Sequence, residues 1–350
     1  MTGRILIVAP SWVGDAILSE PLIARLAAPP DAHVDVLTPD WCAPVFARMR
    51  GVRHVFASTI GHGELAWAKR RALARTLSQQ GYARAVTLPN SWKSALVPWL
   101  AGIPLRTGHV GELRWGLVND ARRLAHGAFP RLVDVYAALA APRGETAPAA
   151  SAPVLVPNAS NRAAAVAALD LDARRGIAVL CPGAEFGPAK RWPPGQFAEL
   201  ALKFRADGFQ VWLVGSPNDR PAGEAIMSAA GDSGRAIVDL TGRTDLGTAI
   251  DLLSLASIVV SNDSGLMHAA AAVGVPLVAL FGSSSPAFTP PLSPDAKIAR
   301  IDIACSPCFQ RECPLGHFKC MRDLAPAAVY DLARSALHRD APVADPRPGN

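Results

Sequence analysis

Short apolar runs alternate with helical patterns along almost the whole chain, and this alternation restricts the fold more than any other feature. The runs RILIVA (4–9), HVDVLT (33–38), VRHVFA (52–57), RAVTLP (84–89) and LRTGHV (105–110) read as strands, with helical patterns near 13–28, 43–50, 67–77, 91–102 and 131–141. A second series follows: GIAVLCPG (176–183), FQVWLVGS (209–216), AIVDLTG (236–242), SIVVSND (257–263) and PLVALFGS (276–283). Helical patterns lie near 194–206, 217–231, 246–256, 264–274 and 326–338. Such alternation predicts parallel sheets covered by helices on both faces. The segment 141–160 is rich in Pro, Ala and Ser and has neither period, so it reads as a connection between domains. A chain of 350 residues also exceeds one compact domain. The expectation is therefore α/β: two doubly wound, Rossmann-like domains facing each other across a cleft. They span 1–155 and 176–338, joined by a linker at 156–175 and followed by a disordered tail at 339–350. The last helix is the segment able to pack back on the first domain. Ligands in such sheets sit outside the carboxyl ends of the strands.

Composition narrows the function classes. The apolar stretch Ala269–Phe281 is interrupted by Pro276 and is shorter than the roughly 20 residues a membrane span needs. The start, MTGRILIVAP, has no signal-peptide pattern, and a cytoplasmic location is expected. Residues 1–150 hold 17 Lys and Arg against 10 Asp and Glu, whereas the rest is nearly balanced at 18 against 19. An Arg-rich background explains part of this excess; an anionic partner for the first domain explains the rest. On the helix at 67–77, Lys69, Arg70 and Arg71 form either a solvated face or a docking face.

Four loops carry chemistry. In SNDSGLMHAAA (261–271), a strand ends in Asp263-Ser264-Gly265 and a helix begins, with His268 one turn in. Either a plain N-cap precedes a core histidine, or free N–H groups make an anion site with glycine allowing close approach. In PGAEFGPAKRWP (182–193), Gly183 and Glu185 lie near the strand end and Lys190 on the loop, where a cation can reach a diphosphate. At 213–226 and 239–250, Asp219, Glu224 and Gly242 sit at strand–turn–helix junctions and are nucleotide-contact candidates, although turn chemistry alone accounts for them. In APSWVGDAIL (9–18), Asp15 follows the first strand. It either caps the helix or accepts a proton from a substrate hydroxyl, and a helix terminus alone lowers its pKa. The chain lacks G-x-G-x-x-G, a P-loop, a G-x-S-x-G elbow and a paired-carboxylate metal motif. Cys305, Cys308, Cys313 and Cys320 enclose His317 at intervals less regular than paired C-x2-C knuckles. The reading is no metal, with a structural zinc at these four as the alternative.

Taken in order, SWVGDAILSEPLI, LPNSWKSALVPWLAGIPLRTGHVGELRWGLVND, PGAEFGPAKRWP, SNDSGLMHAAAAVGVPLVALFGSSSP and CSPCFQRECPLGHFKC resemble the ADP-heptose:lipopolysaccharide heptosyltransferases of glycosyltransferase family 9. The resemblance implies the GT-B fold and an inverting transfer needing no metal or cofactor. The heptose would move from ADP-heptose to the first inner-core heptose of lipopolysaccharide (heptosyl-Kdo2-lipid A). It maps the catalytic aspartate onto Asp15, the phosphate-binding lysine onto Lys190 and the donor loop onto Asp263, Ser264, Gly265 and His268. Asp263 would hold the loop or charge His268. The anionic lipid-linked acceptor makes Lys69, Arg70, Arg71, Lys93, Arg106 and Arg114 docking candidates, with peripheral contact at the cytoplasmic face of the inner membrane and no nucleic acid. The alternatives are another family 9 enzyme with a different acceptor and a GT-B nucleotide-sugar 2-epimerase.

Overall fold

The computed structural model describes residues 3–61, 63–123 and 131–337. Six strands form the first sheet: β1 (Arg4–Val8), β2 (His33–Pro39), β3 (Val52–Ser58), β4 (Tyr82–Thr87), β5 (Leu105–His109) and β6 (Asp120–Arg122). Six more form the second: β7 (Ile177–Cys181), β8 (Gln210–Leu213), β9 (Ile237–Asp239), β10 (Ile258–Asn262), β11 (Leu277–Leu280) and β12 (Ala296–Ala299). The orders are β3-β2-β1-β4-β5-β6 and β12-β11-β10-β7-β8-β9, and every pairing is parallel. Each lobe thus reverses strand order once, between β1 and β4 and between β7 and β10. Those reversals open the crevices where doubly wound sheets bind ligands. Strands β7, β10 and β11 are buried along their whole length, as parallel strands covered on both faces must be.

Two strands escape the sequence pattern. β6 is three residues long and polar, and β12 is a half-exposed edge, so neither carries an apolar run. The expected helix at 13–28 is two helices, Val13–Leu18 and Glu20–Ala27, broken at Ser19 two residues before Pro21. The expected linker holds a helix, Ala159–Ala168, capped by the Asn158 side chain and packed on the helix Leu246–Leu253. The last helix, Pro326–Leu337, does not return to the first lobe. Its stripe of Val329, Ala333 and Ala336 joins Leu200 and Phe204 in the second-lobe core, which corrects the expected fold-back. The expected tail at 339–350 lies outside the described residues.

The two lobes share packing. One apolar cluster includes Ile17, Leu22 and Phe46 of the first lobe with Leu253, Met267 and Ala271 of the second. Beside it, Arg48 pairs with Asp251 at 2.5 Å, and Asp251 also accepts from Asn158 N–H and the Asn161 amide. Both charges are almost fully buried, so removing either partner would strand the other. Sequence inspection misses this pair because its partners lie about 200 residues apart.

Candidate active site

The carboxyl ends of β1, β7 and β10 meet where the lobes touch. The helix Val13–Leu18, entered from β1, packs against the helix Gly265–Ala272, entered from β10. Two glycines permit this approach. A Cβ on Gly265 would fall 2.7 Å from Val13 Cβ, and one on Gly14 would fall 2.9 Å from His268 Cδ2. The expected reason for Gly265, close approach of a phosphate, therefore takes second place to close approach of the other lobe. A Gly265→Ala variant is expected to lose about 1–3 kcal/mol of stability through overpacking and to lose activity as well, because the methyl group pushes Val13 and with it Asp15. A lowered urea midpoint together with a lowered transfer rate would bear this out.

Asp15 stands in the first turn of its helix without capping it; no side chain caps that terminus. The expected lowering of its pKa is overturned. Burial pushes the carboxyl up from 3.8 to about 6, while the Lys190 ammonium of the opposite lobe pulls in the other direction. A first-turn position is worth a fraction of a unit here because loss of water outweighs it.

Lys190 ends a short helical turn, Pro188–Lys190, in the loop after β7. Its Nζ lies 2.5 Å from Asp263 Oδ2 and 4.9 Å from the centre of the Phe186 ring. An ammonium has three donors, so this ion pair leaves others for a ligand. The Ser284 hydroxyl also donates to Asp263. Asp263 thus organises the loop, as one of the two expected roles has it.

The other expected role, charging His268, is corrected. His268 is buried and its pKa falls to about 4, with desolvation outweighing the attraction of Asp263, so the ring is neutral at pH 7.

Ser264 occupies the N-cap position, but its hydroxyl meets Ser261 Oγ at 3.2 Å and caps nothing. The plain N-cap reading therefore fails. The first-turn N–H groups of an eight-residue helix are left for another partner.

Asn262 organises the corner and is not singled out by sequence reasoning. It accepts from Trp192 N–H at 3.2 Å and donates to the Pro182 carbonyl at 2.7 Å, tying the end of β10 to both ends of the Lys190 loop. Only its place at a strand terminus, fully buried, marks it, and burial is not legible in a single sequence.

The remaining candidates separate clearly. Asp219 is buried and closes a capping box, accepting from Ser216 N–H and Oγ at 2.8 Å each, so its carboxylate is spent on its own turn. Gly183 packs against that carboxylate, and a Cβ there would collide with it. Glu185 and Glu224 are exposed, the former 3.4 Å from the Asn218 amide. Gly242 has φ +66°, which favours glycine whatever binds there.

Of the six basic candidates, five donate to backbone carbonyls, and three of them, all arginines, make two or more such bonds. Arg70 donates to Leu65, Lys93 and Glu64, Arg106 to Leu117, Ile103 and Gly116, and buried Arg114 to Pro89 and His109. These arginines shape loops. Lys93 reaches the Gly63 carbonyl, Arg71 is exposed, and Lys69 donates to the Thr59 carbonyl at 3.2 Å while lining an open groove of about 280 Å³ with Ser58 and Thr76.

Among the described residues, no group of three or more His, Cys, Asp or Glu is arranged to hold a metal ion. No described helix is long and apolar enough to cross a membrane.

The sequence profile of glycosyltransferase family 9 (heptosyltransferase) matches residues 70–319. Lipopolysaccharide heptosyltransferase 2 of Escherichia coli K12 is 42% identical, over 95% of this chain and 98% of the relative. Lipooligosaccharide heptosyltransferase 2 of Haemophilus influenzae is 43% identical, over 85% and 88%. The chain belongs to glycosyltransferase family 9. A solved structure, E. coli ADP-heptose lipopolysaccharide heptosyltransferase II, superposes with a TM-score of 0.85 at 41% identity, covering 95% of this chain and 98% of that one. This family 9 glycosyltransferase therefore has the GT-B arrangement, with Asp15 offered by one lobe and Lys190, Ser264 and Gly265 by the other.

Proposed function

We propose that this glycosyltransferase moves L-glycero-D-manno-heptose from ADP-heptose to the first inner-core heptose of lipopolysaccharide, inverting the anomeric centre and using no divalent ion. The observation that carries the reading is the meeting of a half-buried, basic carboxylate with a cationic, N–H-rich corner across one interface. The acceptor hydroxyl attacks the anomeric carbon from the face opposite ADP. The carbon–oxygen bond to the diphosphate breaks, its electron pair leaves with ADP, and the hydroxyl proton passes to Asp15. At pH 7 Asp15 is mostly ionised yet more basic than an ordinary aspartate, which suits a general base. Lys190 and the helix N-terminus at Gly265 meet the charge that grows on the leaving diphosphate. Neutral His268 offers a ring N–H without adding charge.

The deciding assay supplies ADP-heptose with two acceptors, one ending in the first heptose and one lacking it. Transfer to the first alone supports the reading; transfer to the second alone would sink it. Since the acceptor is anionic, its KM is expected to rise with added salt more than that of ADP-heptose. With Arg70, Arg106 and Arg114 each holding two or more backbone carbonyls, exposed Arg71, and Lys69 with its single bond to Thr59, are the positions whose removal should flatten that salt dependence.

A further inference from the structure

The corner that holds Lys190 is short of positive charge. Lys190 Nζ lies 2.5 Å from Asp263 Oδ2, and the two side chains are only 16% and 5% exposed. As a unit the pair is close to neutral. Asp15, mostly ionised at pH 7, acts on Lys190 from the other lobe. The helix N-terminus at Gly265 adds the equivalent of about half a positive charge. A nucleoside diphosphate is multiply anionic, and its charge grows as the bond to the sugar breaks. A second cation is needed to balance it. Arg191, next in the chain, is engaged elsewhere, since its guanidinium donates to the Ala184 carbonyl at 3.3 Å.

The long loop after β12 brings another cation to the same place. Arg311 Cζ stands 5.4 Å from the centre of the Phe186 ring, the ring that Lys190 Nζ approaches at 4.9 Å. The two cations thus share one aromatic neighbour. Arg311 is exposed, and its guanidinium makes no hydrogen bond or ion pair among the described residues. Its five N–H donors are therefore open to a ligand.

The backbone of Arg311, by contrast, is fixed to the donor corner. Its carbonyl accepts from Ala189 N–H at 3.0 Å, and a Cβ on Gly187 would collide with that same carbonyl. Nearby, Phe309 N–H donates to the Ser283 carbonyl at 2.6 Å, and the Ser306 hydroxyl to the Gly282 carbonyl at 2.7 Å. Ala189 precedes Lys190, and Ser283 precedes the Ser284 that holds Asp263. The loop is tied at both arms of the corner, so Arg311 is carried with them. In sequence, CFQREC reads as an ordinary loop with an exposed charge.

We propose that Arg311 is a second diphosphate-binding residue, turning from the Phe186 ring to the phosphates of the ADP-sugar. The inference rests on the ADP-heptose reading and adds a residue to the donor site. A guanidinium is planar and meets two phosphate oxygens at once, whereas the Lys190 ammonium acts as a point charge. Phe186 keeps the guanidinium close by a cation–ring contact that leaves its N–H groups unspent.

The test is calorimetric titration of ADP into the full chain over a range of salt concentrations, beside urea unfolding. Arg311→Gln should bind ADP roughly 10–100-fold more weakly, as expected for lost charge-assisted hydrogen bonds. Its affinity should also depend less steeply on salt, because one cation is gone. Arg311→Lys keeps the charge but not the fork, so it should keep the salt dependence of the parent and recover part of the affinity. The urea midpoint should be the same in all three proteins. Parent-like ADP affinity in Arg311→Gln, or a weakened affinity with an unchanged salt dependence, would overturn the role of Arg311 while leaving the ADP-heptose reading in place. Failure of the parent to bind ADP would overturn both.

Discussion

Replacing Asp15 by Asn should abolish most transfer and make the fold more stable. Loss of a general base typically costs 10²–10⁴-fold in rate, and Asn keeps the shape while losing the basicity. The stability effect follows from linkage. The folded pKa, about 6, lies above the unfolded value of 3.8, so the folded state holds its proton more tightly. Between those values stability falls as pH rises, and above about 6 the whole penalty for keeping this half-buried carboxylate ionised is present. Its size is on the order of 3 kcal/mol. Asn carries no such penalty, so the variant should unfold at higher urea than the parent at pH 7.5 and show little difference below pH 4. For the parent enzyme, kcat/KM should rise with pH through a single ionisation near 6, the region in which Asp15 becomes a base. A variant that loses stability at pH 7.5 while keeping activity would remove Asp15 from the chemistry.

The second large effect belongs to Lys190. In Lys190→Ala the diphosphate loses a cation and Asp263 loses its 2.5 Å partner, which leaves a carboxylate that is only 5% exposed uncompensated beside the donor site. Both changes oppose binding of an anion. Turnover with ADP-heptose is expected to fall about 10²–10³-fold, and ADP affinity to fall with it. The double variant Lys190→Ala/Asp263→Asn should recover part of that loss, because the stranded charge is gone, so the two substitutions will not add. Asp263→Asn alone should reduce turnover more than it reduces the urea midpoint, since it frees Lys190 and Ser284 from the loop without opening the core. Additive losses in the double variant would show that the pair does not act as a unit.

The positions of these residues are legible in the chain itself. Asp15, Lys190 and the Asp263–His268 loop all follow apolar runs, and strand ends are where doubly wound sheets bind ligands. Physical environment is not legible there. The same Asp15 could be a cap with a lowered pKa or a desolvated base with a raised one, and only its packing under the second lobe decides between them. His268 changes sign for the same reason: a neighbouring carboxylate argues for a charged ring, but complete burial argues more strongly for a neutral one. The cationic face of the first lobe shows in composition. Its assignment to a ligand does not, because Arg70, Arg106 and Arg114 find carbonyl partners only once the loops are folded. Two features are invisible in principle to local patterns. Gly14 and Gly265 look like turn residues in sequence, yet each meets a residue of the opposite lobe about 250 positions away.

The proposed mechanism requires protein donors alone to carry the charge of the departing diphosphate while Asp15 takes the proton. Initial rates of heptose transfer, measured in excess EDTA and then with magnesium restored, test this most directly. The rate should be the same in both conditions and should vanish in Asp15→Asn in both. Transfer that stops in EDTA and returns with magnesium would contradict it.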